Sequence, residues 1–219
     1  PGFAIGWYSV AKSSELAVGE VKRVICFDRE MALYRTRSGQ AVLQDAFCPH
    51  LGAHLGVEGR VVGESIRCPF HAWCYDGSGQ CVDMMNEPKE FEFSRKVRVT
   101  AYATEELGGV IWAYMGPLPA PPMARYDTLF RKDGKRVWLI HPQLNANWFQ
   151  AMENSMDPAH LQILHQEFIG RGRQPVNTTR GFTDDVESFE FYVTDYGGLM
   201  KKRTYVNGMV DEHPVLFPN

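Results

Sequence analysis

The stretch Cys48–Gly77, CPHLGAHLGVEGRVVGESIRCPFHAWCYDG, holds the residues on which the reading of the fold turns. Cys48-Pro49-His50 and Cys68-Pro69-Phe70-His71 each offer one thiol and one imidazole, in loops punctuated by proline and glycine. A structural zinc site usually draws its cysteines in pairs from single knuckles. Here cysteine and histidine are interleaved as C-x-H and C-x-x-H. That spacing suits a [2Fe–2S] cluster with both thiolates on one iron and both imidazoles on the other. Neutral imidazoles in place of two thiolates lower the negative charge at such a centre and raise its reduction potential. The competing readings are a zinc ion held by the same four side chains and a chance proximity.

The surroundings of this stretch read as β structure. Val24–Asp28 and Met31–Arg35 are strand-like, and Ser38-Gly39 punctuates a hairpin into Ala41–Asp45. Gly59–Ile66 reads as a short strand pair around Gly63-Glu64, and Asp76-Gly77-Ser78-Gly79 is a turn between Trp73–Tyr75 and Gln80–Val82. Val97, Val99 and Ala101 alternate with Arg98 and Thr100, and Gly108-Gly109 turns the chain into Val110–Tyr114. Short strands at this spacing indicate a small sandwich or barrel. Met115–Met123, MGPLPAPPM, is too rich in proline to continue a helix or a central strand and reads as a linker. Beyond it Arg136–His141 reads as a strand, Ala146–His165 as helix-rich, and Val186–Asp195 and Leu199–Val206 as long strands, the second ending at the hairpin signal Asn207-Gly208. The expectation is an all-β domain followed by the beginning of an α+β domain.

Composition narrows the function. The chain has 219 residues, of which 44% are hydrophobic and 22% charged, as in an ordinary globular protein. Lys and Arg number 23 against 26 Asp and Glu, for a net charge of −3 without a basic tract, which argues against nucleic-acid binding. The longest uncharged stretch, Leu107–Ala124, is broken by glycines and prolines and does not read as a membrane span. No signal or transit peptide is apparent, and a start at Pro1 without Met is read as a processed terminus. Five cysteines, an odd number, fit thiols and metal ligands in a reducing cytoplasm better than a disulfide framework. Cys26, Cys74 and Cys81 are expected to be small buried residues, and His54 to have a supporting or surface role rather than a ligating one.

A second constellation is Asp157-x-x-His160-x-x-x-x-His165, preceded by Glu153-Asn154. On a regular helix Asp157 and His160 lie about 60° apart, whereas His160 and His165 lie about 140° apart. For two imidazoles at that spacing to meet on one ion, the helix must kink, bulge or fray, and Pro158 is placed to cause this. In isolation the segment reads equally well as two unconnected helical histidines.

Taken together, Cys48–His50 and Cys68–His71, followed by Trp73, Tyr75, Asp76 and Gly77, resemble the cluster domain of the Rieske non-haem iron oxygenases, also called ring-hydroxylating oxygenases. The phthalate-type and steroid-oxidising branches are the nearest in character. The resemblance begins near Gly6-Trp7-Tyr8, and Glu153–His165 matches the family's mononuclear iron motif. It implies an α+β chain, with a Rieske [2Fe–2S] domain at 1–115, the linker at 116–123, and the first part of a helix-grip-like catalytic domain at 124–219. Cys48, His50, Cys68 and His71 would hold the cluster, and His160 and His165 would be two ligands of a 2-His-1-carboxylate site for Fe(II). Asp157 would be the catalytic bridge, accepting hydrogen bonds from an iron-ligating histidine of its own subunit and from a cluster histidine of the neighbour. A head-to-tail homotrimer follows from that geometry.

The family's iron also takes a carboxylate from a helix far downstream of the histidine pair. This chain ends at Asn219, and Asp184, Asp185, Glu187, Glu190, Asp195, Asp211 and Glu212 match no family motif. Either the remaining catalytic domain lies beyond this chain, or another chain supplies it. The implied activity is that of a terminal oxygenase component acting on an apolar, ring-containing substrate with dioxygen. Its electrons would come from NAD(P)H through a separate flavin reductase, a ferredoxin or both, since the chain has no glycine-rich nucleotide fingerprint. The alternatives are a Rieske-type ferredoxin, against which Glu153–His165 argues, and a zinc-stabilised binding module. The loop Leu51–Gly59 resembles that of Rieske enzymes that oxidise sterols, a weak pointer to substrate.

Overall fold

The computed structural model describes residues 4–88, 90, 92–138, 145–157, 160, 164, 186–195 and 198–215. The chain divides into two units, the first running to Lys135 and the second beginning at Arg136.

In the first unit the layering follows from one strand pair, β3 (Arg29–Arg35) and β4 (Ala41–Asp45). Their residues are apolar without interruption, and successive side chains point to opposite faces. Met31 and Leu33 of β3, with Ala41 and Leu43 of β4, enter one core together with Leu16, Ile111 and Ala113. Ala32, Tyr34 and Val42 enter a second core with Leu55, Ile66, Trp73 and Tyr75. A strand pair buried on both faces reads as a continuous apolar run, as here.

Around this pair all ladders are antiparallel. With β2 (Val21–Cys26) and β9 (Ala101–Tyr102) it forms a four-stranded sheet in the order β2-β3-β4-β9. A three-stranded sheet joins β1 (Gly6–Lys12), β11 (Val110–Met115) and β10 (Thr104–Leu107). A small third sheet takes β5 (Arg60–Val62), β6 (Ser65–Arg67), β7 (Cys74–Tyr75) and β8 (Cys81–Asp83) in sequence order. The one-turn helix α1 (Leu55–Glu58) leads into it, and a second one-turn helix, α2 (Asp127–Phe130), follows the proline-rich stretch.

The sequence reading needs four corrections. Val24–Asp28 is not all strand, because Phe27 and Asp28, both at φ 57°, form the two-residue turn between β2 and β3. Val97–Ala101 is not a continuous strand. Its backbone is drawn onto the preceding hairpin, with Cys81 N–H donating to Val97 O at 3.0 Å and Val99 N–H to Gly79 O at 2.9 Å. Strand β1 is an addition to the expected elements, since an edge strand with half-buried residues carries little periodicity. Arg136–Trp138 is irregular rather than strand, and the rest of that expected strand lies outside the described residues. The proline-rich stretch packs back on the first unit, where Trp7 Nε1–H donates to Pro121 O at 3.0 Å and Met123 is buried.

The second unit contains helix α3 (Trp148–Met156) and the antiparallel meander β12 (Val186–Val193), β13 (Leu199–Tyr205) and β14 (Val210–Val215). The Asn207-Gly208 turn behaves as its sequence predicts, with Gly208 at φ 82° and Asn207 Oδ1 accepting from Met209 N–H. Asn147 caps the start of α3 by accepting from Phe149 N–H at 2.9 Å. The helix ends at Asp157, immediately before Pro158, where the residue preceding proline is disfavoured in helical conformation.

One ion pair, between buried Arg35 and the more exposed Glu106, ties the first unit together. Arg35 uses all five guanidinium donors, on Leu16 O, Gly39 O, Ser13 O and both carboxylate oxygens of Glu106 at 2.7 and 2.9 Å. It thereby joins the end of β3 to β10 and two turns. The Arg35 contact holds the Glu106 carboxyl below its ordinary value of 4.5. A depressed carboxylate stabilises the fold above its unfolded value and stops doing so as pH falls through its folded one. Arg35→Met should cost about 2–4 kcal/mol in urea melts at neutral pH. The stability gap between wild type and Glu106→Gln should be full above about pH 5 and close on further acidification.

Candidate metal centre

The two Cys/His loops share one backbone frame. In the first, which joins β4 to α1, Cys48 N–H donates to Ala53 O at 2.9 Å and Gly52 N–H to Cys48 O at 2.9 Å. In the second, which joins β6 to β7, Cys68 N–H donates to Trp73 O at 2.8 Å and Ala72 N–H to Cys68 O at 3.2 Å. In each case a cysteine bonds to the residues four and five places on. The residue four places on is left-handed in both, Gly52 at φ 75° and Ala72 at φ 60°. The interleaved spacing in the sequence is the signature of this repeated turn.

The frame brings the four side chains to one end of the unit. Cys48 and Cys68 are each 3% exposed. The His50 and His71 rings are half-buried, 4.5 Å apart between centroids and inclined at 67°. Trp73 stacks on His50 at 4.2 Å and 9°, which fixes that imidazole's plane. Tyr75 O–H lies 3.1 Å from Cys48 Sγ and can donate to it. Burial pushes the Cys48 thiol up, the Tyr75 hydrogen bond pulls it down, and neighbouring Cys68 pushes it up again. Tyr75 itself is raised by burial and by Cys48.

His50 Nδ1 is buried and has no hydrogen-bond partner among the described residues. A buried ring nitrogen without a partner costs stability unless a ligand takes it. With two adjacent buried thiols, the donor set fits a soft metal centre. Among the described residues no three Cys, His, Asp or Glu side chains gather about one point. A two-iron cluster asks for two pairs instead.

The neighbouring residues have other tasks. His54 caps α1, its Nδ1 accepting from Gly56 N–H at 3.0 Å. Its Nε2 lies 2.8 Å from Glu30 Oε2 without the alignment of a hydrogen bond. Cys74 and Cys81 are buried and Cys26 partly so, all as free thiols.

In the second unit Asp157, at the end of α3, places Oδ2 3.1 Å from His160 Nδ1. The backbone is π-helical at Leu164, while His165 lies outside the described residues, as do Asp184 and Asp185. Of the remaining acids, Asp211 accepts from Arg203 and Tyr205, Glu190 faces Lys202, and Glu212 accepts from Tyr192. The sequence reading missed Lys201. It is buried on β13 and donates from Nζ to Ser155 O at 3.2 Å, at the end of α3. Burial and Arg203 lower its pKa, while Asp157 raises it.

Comparison with known proteins agrees with this geometry. Residues 6–102 match the Rieske [2Fe-2S] domain. The chain is 36% identical over 171 residues to the 5,5'-dehydrodivanillate O-demethylase oxygenase subunit of Sphingobium sp. strain NBRC 103272 / SYK-6, covering 76% of this chain and 40% of that protein. It is 30% identical over 175 residues to a cholesterol 7-desaturase of Drosophila melanogaster, covering 76% of this chain and 39% of that one. In fold it is similar to the terminal oxygenase of carbazole 1,9a-dioxygenase from Nocardioides aromaticivorans IC177, with a TM-score of 0.71 at 20% identity, over 98% of this chain and 57% of that one. The chain carries a Rieske domain. It spans about two-fifths of the length of the curated relatives it matches.

The loop frame makes its own prediction. An added Cβ at Gly52 meets nothing within 4 Å, so Gly52→Ala tests backbone strain alone. It should lower stability by about 1 kcal/mol, whereas Ala72→Gly should be neutral or stabilising by a few tenths. Thermal melts of the two variants check both signs.

Proposed function

We propose that this chain is part of the terminal oxygenase component of a multicomponent Rieske oxygenase. It would hydroxylate, dihydroxylate or oxidatively demethylate an apolar ring-containing substrate, using dioxygen and electrons delivered from NAD(P)H through a separate reductase, a ferredoxin or both. The observation that carries the reading is the pair of matched loops with two buried thiols and a His50 Nδ1 without a partner among the described residues. Cys48 and Cys68 would hold one iron of the cluster, and His50 and His71 the other. His160 and His165 would hold the mononuclear Fe(II), with a carboxylate not identified in this chain. When bound, the cluster supplies one-electron transfer at a potential raised by its imidazoles, and the mononuclear iron supplies dioxygen activation.

The residues of the chain would prepare these sites. Trp73 holds His50 in one plane, and Tyr75 places a donor on Cys48. Asp157 accepts from His160 Nδ1, which fixes the tautomer that leaves Nε2 to coordinate. A head-to-tail homotrimer would set Asp157 between its own His160 and a cluster histidine of the neighbour. Aromatic and sterol-like rings both fit, since one relative is named for dehydrodivanillate demethylation and another for cholesterol desaturation. The reading as a Rieske ferredoxin has no use for the Asp157–His160 contact in a second unit. Among the described residues no helix is long and apolar enough to cross a membrane. Free thiols throughout fit a cytoplasmic location.

Asp157→Asn in the complete oxygenase separates the possible roles of that residue. The cluster spectrum and the mononuclear iron content should both persist while turnover collapses. In single-turnover mixing of pre-reduced enzyme with substrate and dioxygen, cluster reoxidation should slow by at least about a hundredfold. Reoxidation at the wild-type rate would rule out the bridge, and loss of mononuclear iron would make Asp157 a ligand instead.

A further inference from the structure

The first ligand loop is held at both ends by one residue. Glu30, on β3, accepts from Ala46 N–H on its backbone oxygen at 3.2 Å, and its carboxylate lies 2.8 Å from His54 Nε2. Between these two anchors the backbone closes the loop. Leu55 N–H donates to Ala46 O at 2.7 Å and Cys48 N–H to Ala53 O at 2.9 Å, while Phe47 and His54 form an isolated antiparallel bridge. His54 thus sits directly across the loop from the residue that precedes Cys48.

Three neighbours hold its imidazole. Nδ1 accepts from Gly56 N–H at 3.0 Å. With Nδ1 an acceptor, the proton of the neutral ring is on Nε2, the atom beside the Glu30 carboxylate. Arg23 holds the other oxygen of that carboxylate at 2.9 Å. The Phe47 ring meets the imidazole edge-on at 5.2 Å and 73°. A Cβ at Gly56 would come within 3.0 Å of His54 Cε1 and 3.2 Å of the Cα atoms of Arg23 and Ala32, so α1 lies directly on β2 and β3. A cap for α1 needs only Nδ1. The contact on Nε2 serves the loop.

Within the loop the His50 backbone N–H donates to the Cys48 sulfur. Hydrogen bonds to ligating sulfur are among the determinants of an iron–sulfur potential, and they favour the more negative, reduced state. We propose that His54 is a positioning residue for the cluster: braced against Glu30, it holds the loop in the shape that keeps His50 N–H on the Cys48 sulfur, and so sets the reduction potential. The proposal rests on the reading of Cys48, His50, Cys68 and His71 as cluster ligands.

The test is an EPR-monitored redox titration of the complete, cluster-loaded oxygenase, with wild type beside His54→Asn, Glu30→Gln and the double variant. Asn at position 54 keeps an acceptor for Gly56 N–H but is too short to reach Glu30, and Gln at position 30 keeps the side chain's size without its charge. Poised at the wild-type midpoint, His54→Asn should hold at least about three oxidised clusters for each reduced one, a fall of about 28 mV for one electron. Glu30→Gln should move the same way by about twofold. Loss of a negative charge acting through space would instead raise the potential, so a fall reports the brace. The double variant should shift no further than His54→Asn alone, because residues acting as one unit are not additive. Unchanged potentials in both single variants, whatever their melting temperatures, would leave His54 a structural cap and overturn the proposal. A fall in His54→Asn without one in Glu30→Gln would overturn it as well, as would shifts that add in the double variant. If His54→Asn loses its cluster, Glu30→Gln decides alone, a fall supporting the proposal and none overturning it. A wild type without acid-labile sulfide would mean that the ligand reading itself has failed.

Discussion

Two thiols and one imidazole nitrogen are buried side by side in the first unit, and the nitrogen has nothing to bond to among the described residues. Such a group costs free energy wherever it is left unmatched. The rest of the unit braces the loops around this group. Each loop closes on itself through paired backbone hydrogen bonds, Trp73 lies flat on His50, and Tyr75 reaches Cys48. The doubly buried strands β3 and β4 then fix both loops to one core, while Arg35 fastens the opposite core to the outer sheet. The stability of the unit and the shape of its metal centre are therefore linked through shared residues, since Cys48, Cys68, Trp73 and Tyr75 belong to the core as much as to the site.

Much of this was legible in the sequence because it is carried by local signals. C-x-H and C-x-x-H encode the repeated turn, Asp76–Gly79 and Asn207-Gly208 encode hairpins, and the apolar runs of β3 and β4 encode burial on two faces. What escaped depends on tertiary contacts. β1 is a strand because β11 lies beside it, and Val97–Val99 is reduced to a single antiparallel bridge, Arg98 with Gln80. Ala72 carries no sequence sign of its left-handed conformation, which only the loop frame imposes.

The second unit reads differently. Its motif is short, and its geometry centres on the end of α3, where Asp157 meets His160 and Lys201 holds Ser155 O. A buried lysine on a strand looks in sequence like any solvated charge, so its place beneath the helix end could be learned only from the fold. The carboxylates near the end of the chain are largely engaged with other side chains, which agrees with their lack of a family motif.

The central claim is mixed ligation, thiolates on one iron and imidazoles on the other, by Cys48, Cys68, His50 and His71. Pulsed EPR on dithionite-reduced protein labelled with ¹⁵N-histidine tests it most directly, alongside iron and acid-labile sulfide analysis. The account predicts about two irons and two sulfides per chain from this site and hyperfine coupling to two histidine nitrogens, with one coupling lost in His50→Cys. Stoichiometric zinc without sulfide, or a reduced cluster with no coupled histidine nitrogen, would contradict it.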